Sequence, residues 1–444
     1  MTFNGNIILN NTTNDFVGGI YANATNNIEL YNSNATILGN ISSTNFQMVS
    51  AGGGITQVSG TNIVVSGLSN LTASGNSITV NQTTNDFGTV QATGTNLTIA
   101  ESNNITLNNT SITNTVNITA ANQITISGSY SAADTLLNNG TLDLASLMTT
   151  NLTISGSGTS ANIQTGGNVT GATIVNGGSL TTNGTFSTLT VNNGTLYTMS
   201  TGTLARTSFA INNNATWVAG GSSLTDFSKI TSPSITIGGN TTLTINIPQT
   251  MNYTQSLTLV DNTGGSAISG NFSGLPQNTT FVSNGTNPTV LKISYTGGTG
   301  NDMVLTVPTG TISVLTPNLT TTANGLFTNS TYNNNFTFRV MGGPGNATGI
   351  ANVPVTITLP ANVNNLNIAS GRFDNANASN RTVSLRTDAN GNISIPIWAN
   401  DNPGPFQMNI TQSDNASVYN YPYMGVIGLA VQRQSINRSY VRYL

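Results

Sequence analysis

"NQTTNDFGTVQATGTNLTIAESNNITL", residues Asn81–Leu107, restates a phrase met 71 positions earlier as "TTNDFVGGIYANATNNIEL", Thr12–Leu30. Both copies open on Thr-Thr-Asn-Asp-Phe and close on Asn-Ile-x-Leu. A catalytic centre rarely needs a duplicate, whereas a stack of equivalent coils does. Outward from the phrase, short apolar alternations recur from residue 5 to about residue 310: Ile105/Leu107, Val116/Ile118, Leu152/Ile154, Leu189/Val191, Ile235/Ile237 and Leu257/Leu259. Period-two alternation means strands with one buried face. Asn-Gly and Gly-Gly corners separate them, and these residues tolerate the left-handed backbone of a sharp bend.

Asn-Gly also favours two-residue hairpins. Brief strands, roughly 10 residues per strand and corner, and recurring corner phrases favour a parallel β-helix instead. Those phrases are "NNGTLDL" (Asn138–Leu144), "TNGTFSTL" (Thr182–Leu189), "NNGTLYTM" (Asn192–Met199) and "NNNATWVA" (Asn212–Ala219). Asn amides at equivalent corners are expected to bond one another from coil to coil. At about 22–25 residues per coil, about 300 residues give about a dozen coils and a rod about 60 Å long at ~4.8 Å per coil.

Composition narrows function. Only 5% of the 444 residues are charged, against the usual ~25%. Neutral hydrogen-bonding side chains must therefore carry solubility. The net charge is −3, and residues 1–205 contain neither Lys nor Arg, which removes the basic stripe that nucleic-acid binding needs. There is no Cys and no His, so disulfides, thiol nucleophiles, imidazole bases and the commonest zinc ligands are all missing. Such Cys-free, Thr/Asn/Gly-rich composition is common among exported surface proteins. The start "MTFNGNIILNN" has no basic n-region or apolar run of a signal peptide. The longest apolar run, Met424–Val431, is too short to span a membrane.

The stretch "TTNDFGTVQATGTNLTIAESNNITL" resembles the repeats of filamentous-haemagglutinin-like bacterial surface proteins. Residues 256–308, closing on "ISYTGGTGNDMVLTV", resemble the end of an autotransporter passenger. Together the resemblance covers 1–308 and implies a right-handed parallel β-helix displayed outside the cell. After Val307 the chain departs from that pattern, since the ~10-residue amphipathic strands of a translocator barrel do not follow, and the sequence does not indicate an export route.

Residues 309–423 change texture, with longer alternations such as Phe336/Phe338/Val340, Val353/Val355/Ile357/Leu359 and Ile393/Ile395/Ile397. About seven strands with turn signals every 10–15 residues fit an antiparallel sandwich. The blocks "NFTFRVMGGPGNATGIANVPVTITLP", "TVSLRTDANGNISIPIWAND" and "PGPFQMNIT" resemble bacterial Ig-like modules of invasin/intimin-type adhesins, with Pro403, Gly404 and Pro405 expected in a hairpin turn. Residues 424–444 form a tail carrying Arg433, Arg438 and Arg442.

Few residues suggest chemistry. "GGTGNDMVL" (Gly297–Leu305) matches the calcium-binding nonapeptide with Asp302 as its acid, yet that calcium sits between successive copies and this chain has one. A turn at the end of the passenger-like segment is the plainer reading, so no cofactor is expected, with calcium the alternative. Asp15 and Asp86 occupy matching positions in the two phrases. Equivalent corners several coils apart cannot approach the ~5–9 Å that glycosidase carboxylates need, so both are expected as Asx-turn corners. Trp217 and Trp398 are expected as core or stacking residues rather than ligand contacts. Asn-x-Ser/Thr triplets at Asn23, Asn70, Asn117, Asn151, Asn183 and Asn193 are glycosylation candidates in a source that modifies asparagine.

The resulting expectation is a non-enzymatic extracellular or cell-surface protein, adhesin-like or structural. Its expected partners are identical subunits, envelope components, or a host receptor or glycan. A tailspike-like polysaccharide-binding or depolymerising β-helix, or a virion surface fibre built from the same repeats, is the alternative.

Overall fold

Ile78, Leu97 and Val116 are register partners on adjacent parallel strands, each 19 positions after the last. This column continues in both directions through eleven stacked positions, from Thr36 and Ile55 to Phe209 and Ile235. The hairpin alternative is thereby excluded for this part of the chain: neighbouring strands run parallel. Two further columns complete each coil, one through Ile28, Phe46, Ser69 and Val90 and, in the later coils, one through Val169, Phe186 and Ala205. The fold is thus a β-solenoid of about eleven turns, and every named element is a strand.

The computed structural model describes residues 2–308 apart from 145–146, 201, 213, 253–254 and 286–287, and beyond 308 it describes 311–316, 326–327, 334–342, 348–358, 366–368, 382–399, 404–406, 409–412, 418–420 and 424–427. Two compact units divide the chain. One takes Met1–Asn246, Thr258–Gln277 and Ser294–Val304; the other takes Ile247–Leu257, Asn278–Ile293 and the chain from Leu305 onward.

The solenoid unit stands up because alternation directs one side chain of each pair inward. Leu97 and Ile99 are buried and Thr98 between them is half-exposed. In the column above and below, Ile78, Val116 and Leu152 are all 0% exposed. Each fully buried aliphatic side chain contributes about 1.5–3 kcal/mol. Trp217, as expected, is in the core at 0% exposure; its ring meets Phe209 edge-on at 5.8 Å and its Nε1–H donates to Thr198 Oγ1 at 2.7 Å. The side chain of Trp398 lies outside the described residues.

Most coils are shorter than the expected 22–25 residues. Steps along the first column run 19, 23, 19 and 19 from Thr36 to Val116. The corners are tighter than a ten-residue strand-plus-corner count allows, and left-handed residues make them so. All six non-glycine residues with positive φ among the described residues are asparagines: Asn109, Asn193, Asn214, Asn240, Asn278 and Asn352. Amide side chains stabilise that conformation locally.

In the second unit the described pairings are mostly antiparallel. Asn334–Gly342 lies between Thr311–Thr316 and Asn392–Ala399, with Leu366–Ile368 beyond. Pro354–Thr358 lies between Thr382–Arg386 and Asn409–Gln412, with Val418–Asn420 beyond. The "TDANG" segment is a tight turn: Asp388 Oδ1 accepts from the N–H groups of Asn390 and Asn392 at 2.9 and 2.8 Å, and Gly391 takes φ 79°. Gly404 and Pro405, expected in a turn, are instead in a strand, Gly404–Phe406, paired antiparallel with Met424–Ile427. A strand tolerates proline where its missing N–H would not enter the ladder. Residues 428–444, with Arg433, Arg438 and Arg442, lie outside the described residues.

Leu97→Ala should cost about 3 kcal/mol by opening a cavity between two coils, and the outward neighbour Thr98→Ala should stay within about 0.5 kcal/mol. Denaturant titrations of the two variants check the contrast.

Candidate functional site

The repeated phrase builds the same corner twice. In the first copy Asn14 N–H donates to Asn11 O at 3.0 Å and its Nδ2 to Leu9 O at 2.9 Å. In the second, Asn85 N–H donates to Gln82 O at 3.1 Å and its Nδ2 to Val80 O at 3.1 Å. The next coil then bonds back identically, Ser33 N–H to Asn14 O at 2.8 Å and Ser102 N–H to Asn85 O at 2.9 Å. The residue after Thr-Thr is therefore a bracket between coils. Asn85 is the more complete one, at 0% exposure. Its Oδ1 accepts from Ile63 N–H at 2.9 Å and Gln57 Nε2 at 2.7 Å, and its Nδ2 also reaches Gln57 Oε1 at 3.0 Å.

A difference between the copies has a steric cause. Gly88 follows Asp86-Phe87 where a Cβ would lie 2.5 Å from Ser66 O and 2.7 Å from Gly67 O of the preceding coil. At the matching place in the first copy stands Val17, which is 93% exposed.

Elsewhere asparagine performs a related task. The expected amide-to-amide ladder exists in places: Asn192 Nδ2 donates to Asn176 Oδ1 at 3.1 Å and Asn212 Nδ2 to Asn192 Oδ1 at 3.2 Å, while Asn138 bonds Asn117 likewise. The commoner arrangement is amide to backbone. Asn40, Asn45, Asn96, Asn104 and Asn151 each offer Oδ1 to a main-chain N–H of the following coil, at 2.8–3.3 Å. A corner N–H that no strand pairs would otherwise go unsatisfied.

Asp15 and Asp86 lie on different coils, but the corner bonds expected of them are made by the preceding residues, Asn14 and Asn85. Asp15 is exposed and accepts from Asn34 Nδ2 at 2.7 Å, bracing one coil against the next. Asp86 is exposed too, but its acidic neighbour is Glu101, which sequence reasoning passed over. Glu101 is 2% exposed; Oε2 accepts from Phe87 N–H at 2.7 Å, and Oε1 from Asn103 N–H at 3.1 Å and Ser102 Oγ at 3.3 Å. Burial raises its pKa above the usual 4.5 and the Asp86 charge adds to that, partly offset by the backbone donors. In the first copy Asn32 receives the corresponding bond, from Phe16 N–H at 3.0 Å. The clue was present in the sequence: an acid directly after the apolar run "LTIA", one of only two glutamates in the chain.

Asp302 serves the turn that contains it. It is 6% exposed; Oδ1 accepts from Asn262 N–H at 2.9 Å, and Oδ2 from Thr299 N–H at 3.0 Å and Thr299 Oγ1 at 3.3 Å. Asn301 Nδ2 reaches Gly264 O at 2.6 Å, so the nonapeptide is stitched to residues 262–264 by chain donors. Among the described residues no group of three or more His, Cys, Asp and Glu stands close enough to hold a metal ion. Nearby, the Tyr295 hydroxyl donates to Leu275 O at 2.8 Å and accepts from Phe272 N–H at 3.1 Å, and burial pushes its pKa up to about 12.

Of the glycosylation candidates, Asn23, Asn151 and Asn193 are exposed and Asn70, Asn117 and Asn183 half-buried. Asn151 Nδ2, the atom that a glycan would modify, is engaged by Asp134 Oδ1 at 2.9 Å. Among the described residues no helix is long and apolar enough to cross a membrane.

Residues 25–93 match a family described as repeats of unknown function (DUF5649). The matched span runs from the corner before Asn27–Asn32 to nearly the end of Asp86–Gly94, so it covers stacked coils and their corners. A search among curated proteins returns no match.

Asn85→Ala should strand Ile63 N–H and Val80 O together, at about 1–3 kcal/mol per group. A loss of about 3 kcal/mol is expected, against about 1 kcal/mol for Asn14→Ala with its single side-chain bond; urea unfolding of both variants measures the difference. For Glu101 the sign follows from its raised pKa. The folded state holds the proton longer than the unfolded one, so stability falls as pH rises from about 4.5 through the folded-state pKa. Glu101→Gln should remove that part of the slope, read as thermal midpoints from pH 4 to 7.

Proposed function

We propose that this chain is a non-enzymatic extracellular surface protein. In this reading a β-solenoid rod, adhesin-like or structural, carries an Ig-like antiparallel module and acts by self-assembly or surface attachment. The observation that carries the proposal is the use made of polar side chains. The candidates Asn151, Asp15 and Asp302, and with them Asn14, Asn85 and Glu101 of the repeated phrases, serve the scaffold: five of the six side chains bond main-chain groups and Asp15 bonds the Asn34 amide of the next coil. A module whose polar groups close its own corners is suited to spacing and display rather than turnover.

The Ig-like assignment is supported by the five-stranded and four-stranded antiparallel sheets around Asn334–Gly342 and Pro354–Thr358 and by the "TDANG" turn. Extracellular display is supported by the Cys-free, nearly uncharged composition. The repeat family matched at residues 25–93 fits a rod of stacked coils and names no activity.

Negative-stain imaging of purified protein tests the proposal. Particles with a rod about 50 Å long, set by eleven coils at ~4.8 Å each, are expected, singly for an adhesin and in filaments or sheets for a structural subunit. Globular particles, or release of reducing sugar ends from a polysaccharide, would overturn it.

A further inference from the structure

One row of outward side chains departs from the rule that amides bond their own scaffold. Glu29, Gln47, Asn70 and Gln91 are successive register partners on four adjacent coils. They point outward between buried neighbours; Gln47 is exposed, and Glu29, Asn70 and Gln91 are half-buried. Glu29 receives one long bond, from Asn10 Nδ2 at 3.4 Å. The side chains of Gln47, Asn70 and Gln91 make no hydrogen bond among the described residues. Three of the four line a shallow depression of about 160 Å³ whose walls are Asn27, Asn45 and Leu68 and whose floor is Ile28 and Phe46. Two residues further along each strand runs a second row, Tyr31, Val49 and Thr72, partly apolar.

We propose that this row is a binding track for a neutral, linear polysaccharide lying along the solenoid axis. The depression is too small to enclose a sugar, so the ligand must lie across coils. Rungs recur every ~4.8 Å, about the span of one sugar ring, so each ring meets one amide or carboxylate. An amide offers both donor and acceptor to a pair of hydroxyls, and the Glu29 carboxylate accepts from two. Tyr31 and Val49 supply the apolar surface that the C–H face of a sugar requires. A peptide strand is disfavoured, because the sheet presents its face here and its backbone ladder is already paired. A polyanionic glycan is disfavoured by Glu29 and by the absence of Lys and Arg from residues 1–205. The track rests on the stacked coils of the proposed rod, yet the two fail distinguishably: a failed glycan experiment leaves the rod intact, whereas a globular image would remove both.

The full chain, produced in a host that does not glycosylate asparagine so that Asn70 stays unmodified, is titrated calorimetrically with cellohexaose, chitohexaose, maltohexaose, β-mannohexaose and a heparin hexasaccharide. At least one neutral probe should bind and the heparin probe should not. The double variant Gln47→Ala/Gln91→Ala should weaken the neutral probe at least ~10-fold. Asn70→Asp, isosteric and safe for the fold, should weaken it in the same direction. The proposal is overturned if no neutral probe binds, if the variants bind as the parent does, or if the parent self-associates through this face and the double variant does not.

Discussion

Everything in the solenoid depends on backbone hydrogen bonds between coils that follow each other at about one coil length in sequence. A parallel ladder satisfies the N–H and C=O groups of the strands, and it leaves the corners unsatisfied. Asparagine resolves the corners. It adopts the left-handed bend at Asn109 and Asn193, and its amide reaches the next coil at Asn45, Asn104 and Asn151. With those two tasks met by one residue type, the chain closes a coil in about 19 residues with almost no charge.

The low charge then has a structural explanation. Charged groups stacked at rung spacing would repel along the whole axis, because like residues recur in register. Neutral amides and hydroxyls hydrate the surface without that penalty. Where an acid does enter the stack, it is compensated: Asp15 and Asp134 each hold an Asn amide of the following coil, and Lys229 sits 3.5 Å from Asp261. Glu101 is the exception, buried beside Asp86 and held by backbone donors alone on its phenylalanine side.

Much of the fold was legible because alternation is local. Leu152/Ile154 and Leu189/Val191 announce an inward face wherever they occur, and the Thr-Thr-Asn-Asp-Phe phrase marks a recurring corner. Coil length was less legible, since it depends on how tightly Asn and Gly turn the chain, and strand counting overestimates it. The corner hydrogen bonds were half legible. Amide-to-amide ladders were anticipated, but the commoner partner is a backbone N–H, which no sequence displays. Glu101 and the Glu29–Gln47–Asn70–Gln91 row were hidden for one shared reason. Their meaning depends on which residue lies one coil away, and that spacing varies: it is 16 between Thr173 and Leu189 and 30 between Ile230 and Val260.

Spin labelling tests the parallel stack most directly, and the absence of native cysteine makes it clean. Thr98 and Asn117 are register partners on adjacent coils. Nitroxides attached through Thr98→Cys and Asn117→Cys should therefore broaden each other strongly, while labels at Thr98→Cys and Asn108→Cys, half a coil apart, should not. Strong coupling of the second pair with none in the first would mean that nearby segments fold back on each other, and the stacked-coil account would fail.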